Sequence, residues 1–278
     1  MTTRNQRLLL RRVSSVVLLL AFLTGIGGAR HAAGQVSLSV TPAYAYITEQ
    51  EPHGSFVLRN DGTERVEVVV SARYGVIESD AGGAATHVTL REGGLMGDLT
   101  RHLTVFPDRL IIEPGEERFV RYMVKSPEGL SHGGHIALMH YQMQERHSVR
   151  ENQVPAIATG LNIVYNLVAP IVLVKGEGAA LLSAEVLSFE GGSISLLMTN
   201  RGAFPFVGGI TATTWREGEE VTLGRAESAI YTRRRVEIPL SRVPTGGKVL
   251  LQFDTSYGSI PSEVSRHFAV PAPIEIEL

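Results

Sequence analysis

Three histidines stand close together in "SHGGHIALMH", at His132, His135 and His140. Histidines that close raise the question of a metal site. A bound metal needs side chains converging on one point, and no acid stands at ligand spacing here. In a strand His132 and His135 face opposite ways, so no metal is expected and these read as turn and surface histidines. Two adjacent pairs of carboxylates, Glu116 with Glu117 and Glu219 with Glu220, could in principle do acid–base work. Both sit in polar turn sequence, where such pairs are ordinarily solvated. The one tryptophan, Trp215, is read as a core or edge aromatic before a sugar platform. No Gly-x-Ser-x-Gly elbow and no phosphate-cradling glycine loop occurs. No enzyme activity and no cofactor is therefore expected.

The elements that would hold any site are strands. In "GSFVLRNDGTERVEVVVSARY", Phe56 and Leu58 share a face, as do Val66, Val68 and Val70 beyond the Asn60-Asp61-Gly62 corner. Alternation on both sides of such a corner is a hairpin signature. In "LTVFPDRLIIEPGEERFVRYMV", Leu110 and Ile112 alternate before Pro114 and Gly115, and Val120, Tyr122 and Val124 after them. Proline followed by glycine is what a type II turn requires. "GHIALMHYQMQ" and "AIATGLNIVYNLVAPIVLV" are further strands. In the second half "SISLLMTNRGAFPF" places Ile194, Leu196 and Met198 on one face before Asn200-Arg201-Gly202. The match of "LRNDGT" to "MTNRGA" points to two related domains. More strands are expected at "GGITATTWRE", "RRRVEIPL", "KVLLQFDTSY" and "SRHFAV". Helices should be few and short, since no segment has a capped 3.6-residue period. Short strands separated by regular turn signals specify an all-β chain of two β-sandwiches.

The first 34 residues hold five arginines and no acid, with an apolar run ending in "GGARHAAGQ". That is the pattern of a secretory signal peptide, cleaved after Gly34 or Ala29. Without it the chain carries 21 basic and 28 acidic side chains, a net charge of −7. Nucleic acid needs a basic face, so it is not an expected partner. The chain has no cysteine, which excludes a disulfide framework and thiolate metal sites. No later run is apolar enough for a membrane-spanning helix. The expected divisions are a signal peptide at 1–34, one domain at 35–174 and a second at 175–278, with the boundary in "LVKGEGAALLS".

The segment 156–167 stands out. Ile157, Thr159, Leu161, Ile163, Tyr165 and Leu167 make one face, large and mostly apolar. The opposite face is small or polar at first. The charged "ERHSVRENQ" precedes it. A long strand of this kind is either an ordinary core strand or an exposed edge put to use, because an unused one invites aggregation.

Together these pieces resemble the periplasmic pilus-assembly chaperones of the chaperone–usher pathway. "VFPDRLIIEPGEERFVRYMV" looks like that family's Pro, Pro-Gly-Glu and Val-Arg pattern. "GLSHGGHIALMHY" looks like its sixth strand and "LVAPIVLVKG" like the end of its seventh. The resemblance runs through essentially the whole secreted portion. It implies two immunoglobulin-like domains at an angle, with a pilus or fimbrial subunit held in the cleft between them. It also implies that the seventh strand is donated to an incomplete sandwich in the subunit, with Ile157, Thr159, Leu161 and Ile163 as the donated residues. An outer-membrane usher would be a second partner. The family's basic anchors for the subunit's terminal carboxylate are missing. Thr41 or Pro42 stands near the expected arginine, and Tyr165 or Asn166 near the expected lysine. Either Thr41, Tyr165 and Asn166 hold the carboxylate by hydrogen bonds, or the client differs. The competing expectation is a structural or adhesive cell-surface module built from the same sandwiches.

Overall fold

The computed structural model describes residues 37–79, 82, 85–88, 95–144, 166–190, 192–242, 247–255 and 262–277. Among the described residues, apart from a 3-10 turn (Pro127–Gly129) and a four-residue helix, α1 (Ser262–Ser265), the regular structure is all strand. The first part of the chain contributes β1 (Leu38–Thr41), β2 (Ala45–Thr48), β3 (His53–Asn60), β4 (Val66–Arg73), β5 (Val76–Ser79) and β6 (Ala85–Val88). It continues with β7 (Gly97–Asp98), β8 (Leu103–Phe106), β9 (Arg109–Ile112), β10 (Glu117–Val124), β11 (Gly133–Gln144) and β12 (Asn166–Lys175). One sheet runs β1-β3-β10-β8 and the facing sheet β2-β12-β11-β4-β9, with β7 beside β11. β5 and β6 form a separate antiparallel pair.

The remainder supplies β13 (Gly178–Ala179), β14 (Leu182–Glu190), β15 (Ser193–Asn200), β16 (Phe206–Arg216), β17 (Glu219–Ile230), β18 (Arg233–Pro239), β19 (Lys248–Asp254), β20 (Phe268–Ala269) and β21 (Ile274–Glu277). Its sheets run β14-β15-β18 and β17-β16-β19-β21, and β13 pairs with β20. Two β-sandwiches result, as the strand pattern predicts.

The faces are as the alternation requires. Phe56, Leu58, Val66, Val68, Val70, Leu110, Ile112, Val120, Tyr122 and Val124 are all buried in the first core. Ile194, Leu196 and Met198 are buried in the second. The connections differ from the expectation. β3 and β4 lie in opposite sheets, so Asn60-Asp61-Gly62 is a corner between layers and not a hairpin. The same holds for β9 and β10 across Pro114 and Gly115. Each of these strands has one apolar face, and two apolar faces are both covered when the strands stack rather than pair. Gly115 has φ +76°, and Glu116 N–H donates to the Glu113 carbonyl at 3.0 Å, the geometry of the expected type II turn.

The two Asn-x-Gly corners share one device. Asn60 is buried; its amide donates to the Glu64 carbonyl at 2.7 Å and the Ile112 carbonyl at 3.0 Å, and its oxygen accepts from Gly62 N–H at 2.9 Å. Asn200 is buried too, donating to Phe204 O at 2.8 Å and Tyr231 O at 3.2 Å and accepting from Gly202 N–H at 2.9 Å. Between β15 and β16 the chain again changes sheets. A buried asparagine that satisfies the backbone of a layer-crossing corner thus occurs once in each sandwich.

A third apolar cluster joins the sandwiches. Tyr46, Val76, Ile136, Leu138, Val172 and Val174 of the first part pack with Val207, Tyr231, Val264 and Phe268 of the second. The Tyr46 and Tyr231 hydroxyls lie 2.8 Å apart. Gly134 N–H donates to the Ala203 carbonyl at 2.8 Å, and the Thr232 hydroxyl donates to the Glu78 carboxylate. The sheet holding β11 and β12 is therefore covered on both faces, which makes β12 read as a nearly continuous apolar run.

Candidate functional site

β12 has two unlike edges. On one side it is antiparallel to β11 along its whole length, from Gln142↔Asn166 to Gly133↔Lys175. On the other it is parallel to β2 only over Ile171 to Val174. Among the described residues, no strand pairs with that second edge at Asn166–Pro170. Its side chains alternate between two environments. Ala169, Ile171 and Leu173 enter the first core, against which Leu167 also packs. Val172 and Val174 enter the cluster between the sandwiches, with Val168 against it.

Residues Ile157, Thr159, Leu161 and Ile163, and Tyr165 with them, lie outside the described residues. Asn166 opens β12, exposed, opposite Gln142. Thr41 ends β1, exposed, opposite Val57. The chain then passes through the cis Thr41–Pro42 peptide into the other sheet.

The open edge of β12 leads to a groove of about 220 Å³ between the sandwiches. Tyr44, Ile77, Val168 and Pro170 line it from the first part, Ala229 and Arg234 from the second. Arg234 reaches it by strand alternation. It shares a face of β18 with Val236 and Ile238, which are buried in the second core. At the start of the strand that face has run past the core, so the half-buried Arg234 side chain lines the groove. Sequence reasoning missed this residue. In "YTRRRVEIPL" only the parity of Arg234 with Val236 and Ile238 sets it apart from Arg233 and Arg235.

The other sequence candidates serve local structure. His135 is a correction: it is buried, not on the surface. Its Nε2–H donates to the Ser131 carbonyl at 2.9 Å, so Nδ1 is the bare ring nitrogen. Burial lowers its pKa, with like charge from His102 and Lys175 adding to the effect and the Ser131 hydrogen bond opposing it. Among the described residues no three His, Asp or Glu side chains are grouped to hold a metal. Glu116 accepts from Glu113 N–H at 3.0 Å and pairs with Arg118, Glu117 pairs with Arg59, and Glu220 accepts from Gln252. Trp215 is 67% exposed, paired across the strands with Glu220. A further surface went unread in the sequence. Phe106, Ile111, Phe119 and Met123 are exposed on the first sandwich, and the first three border a shallow depression with Arg109 and Arg121. The outward parity of Ile111 on β9 and of Phe119 and Met123 on β10 was the available signal; Phe106 ends β8. Among the described residues no helix is long and apolar enough to cross a membrane.

No protein-family profile and no curated protein matches the chain. Solved structures do. The E. coli chaperone DraB aligns at 13% identity and a TM-score of 0.41, covering 87% of this chain and 99% of that one. The SafB chaperone in complex with the Salmonella enterica SafA pilin aligns at 9% identity and a TM-score of 0.43, covering 89% and 99%. The CsuC–CsuE chaperone–tip adhesion subunit pre-assembly complex, from archaic chaperone–usher Csu pili of Acinetobacter baumannii, gives 13% identity and a TM-score of 0.41, covering 87% and 97%.

Proposed function

We propose that this chain is a non-enzymatic periplasmic chaperone that holds pilus or fimbrial-type subunits by lending them a β-strand. The strand is about 156–167, continuous with β12, and Ile157, Thr159, Leu161 and Ile163 are the residues it offers. The observation that carries the reading is the half-paired start of β12. Asn166–Pro170 is fixed to β11 on one edge and has no described strand partner on the other. A strand held on one side and open on the other is what strand addition uses: main-chain hydrogen bonds supply affinity, alternate side chains specificity. In this reading Leu161 or Ile163 contributes roughly 1.5–3 kcal/mol when fully buried in a client. Thr41, Tyr165 and Asn166 stand near the groove in sequence and offer hydrogen bonds to a client's terminal carboxylate. An outer-membrane usher is the second partner of this reading.

The test is an affinity pull-down of the tagged chain from its host's periplasm, paired with Leu161→Asp. Small β-rich subunits should co-purify with the wild type and vanish with the variant, while circular dichroism of the two proteins stays the same. If the variant unfolds, 156–167 is a core strand. If both proteins capture the same partners, or neither captures any, strand donation is wrong and a structural or adhesive module replaces it.

A further inference from the structure

We propose that the outer face of the β17-β16-β19-β21 sheet is a carbohydrate site, with Trp215 as its stacking platform and a neutral, gluco-configured oligosaccharide as its ligand. The proposal rests on this face alone and is independent of strand donation. Along β16 the second core takes Ile210 and Ala212, so Thr211, Thr213 and Trp215 share the opposite, outward face. Trp215 is the chain's one tryptophan and is 67% exposed. Its backbone is tightly set. The β16–β17 hairpin closes through Glu217 at φ +55° and Gly218 at φ +85°, the two positive φ angles of a type I′ turn. Trp215 is thereby paired with Glu220 across the strands. Gln252 of β19 reaches over β16 and donates its amide N–H to the Glu220 carboxylate at 2.7 Å. This bond fixes two planar polar groups beside the indole.

Hydrogen bonding and charge narrow the ligand. After the Gln252 bond the Glu220 carboxylate can still accept, and the amide keeps one N–H and its oxygen. Neighbouring hydroxyls on a sugar ring donate and accept in the same way. When those hydroxyls are equatorial, as in a gluco-configured pyranose, the flat faces of the ring show only C–H, which an exposed indole can cover. The two bases on the same face are already neutralised. Arg225 pairs with Asp254 at 2.9 Å and Glu227 at 3.6 Å, and Lys248 with Glu275 at 2.6 Å. Acids outnumber bases there, so phosphates and other anions are repelled. A protein partner is disfavoured for a different reason. Among the described residues Trp215 is the one large exposed hydrophobic side chain on this face, whereas the centre of a protein interface is an apolar patch. A neutral, hydroxyl-rich ligand with one apolar face satisfies all of these conditions.

Because Trp215 is the only tryptophan, the intrinsic fluorescence of the purified chain reports from the site itself. The probes are cellotetraose and chitotetraose, with sorbitol as a polyol that has hydroxyls but no ring face. An oligosaccharide should shift the emission saturably and sorbitol should not. Its affinity, read by calorimetry, should fall about tenfold or more in Trp215→Ala and about threefold or more in Glu220→Ala. Phe119→Ala, which removes an exposed aromatic from the other sandwich, should bind the sugar like the wild type. Circular dichroism of the variants should match the wild type, since the side chains removed are exposed. No saturable shift with either oligosaccharide, an equal response to sorbitol, or an unchanged affinity in Trp215→Ala overturns the site. Self-association of the chain that is lost in Trp215→Ala, without any response to sugar, makes the face a protein interface and overturns the assigned ligand.

Discussion

Replacing Asn60 tests the layer-crossing corner that both sandwiches share. The Asn60 side chain is buried and closes three bonds to main chain: from Gly62 N–H at 2.9 Å, and to the carbonyls of Glu64 and Ile112 at 2.7 and 3.0 Å. Asn60→Ala removes all three. At about 1 kcal/mol each, rising toward 3 where the orphaned group stays buried, the expected loss is about 3–4 kcal/mol. Asn60→Asp is the sharper probe. It keeps the acceptor for Gly62 but sets a carboxylate against two carbonyl oxygens. Its folded pKa is then raised above the ordinary value of about 3.9, because only the protonated form can donate there. The folded chain holds a proton that the unfolded chain has released. Stability of this variant relative to wild type should therefore be highest at low pH and fall as pH rises from about 4 through the folded pKa. Urea unfolding of wild type and both variants at several pH values measures this. A cost below about 1 kcal/mol for Asn60→Ala would refute the buried-bond reading. So would an Asn60→Asp stability that tracks wild type at every pH. Asn200→Asp should repeat the pattern, because its amide faces the Phe204 and Tyr231 carbonyls at 2.8 and 3.2 Å.

Three other perturbations follow. His135 has a lowered pKa and faces Lys175 and His102, while Glu49 pairs with Lys175 at 3.6 Å and the Asp98 carboxylate is held by Thr100 and Arg101. The unfolded chain takes up its proton near pH 6.5 and the folded chain only lower. The urea midpoint of wild type should therefore drop between pH 7.5 and 5.5 by more than that of His135→Gln; an equal drop would exclude His135 as the cause. Gly208→Ala would place a methyl on the main-chain oxygen of Asp254, which cannot step aside as a side chain can. Unfolding should show a loss of about 2 kcal/mol or more, in the range of overpacked cores. Gly115→Ala meets no atom within 4 Å, yet stands at φ +76°, so its cost should be backbone strain alone, about 1 kcal/mol. A neutral result at Gly115 would mean the turn relaxes.

Face assignments were legible because they depend on one strand at a time. Phe56, Val68, Val120 and Leu196 are buried as their alternation demands. Pairing was not legible. A corner residue such as Asn60 turns the chain equally well within a sheet or between sheets, and the choice is made by what covers the apolar faces. β17 escaped notice for another reason. "EEVTLGRAESAI" is an edge strand whose outward residues include Glu219, Glu220, Arg225 and Glu227, and only Leu223 and Ile230 of its apolar residues are fully buried. β5 was hidden because its burial depends on the other sandwich: Val76 packs into the cluster between them. Arg234 is the clearest limit at the site. A charged residue on a core-facing parity reads as noise in a strand until the groove at the strand's end is known.

β12 links the fold to the proposed strand donation. One set of its side chains, Ala169, Ile171 and Leu173, is committed to the first core, and the other, Val172 and Val174, to the cluster between the sandwiches. Neither set can face a client without opening a core. The part of β12 with freedom is its start, where no described strand pairs with the β2 edge from Asn166 to Pro170 and Val168 and Pro170 face the groove. In the proposed reading, a client pairing there would load a strand already pinned by a ten-residue ladder to β11, so little of the chain would need to be ordered on binding. Less ordering leaves more of the contact energy as affinity. The same geometry separates the two kinds of substitution. Changes from Ile171 onward should act on stability and on the approach of the sandwiches, whereas the proposed strand donation puts the effect of changes at Leu161 or Ile163 on partner capture.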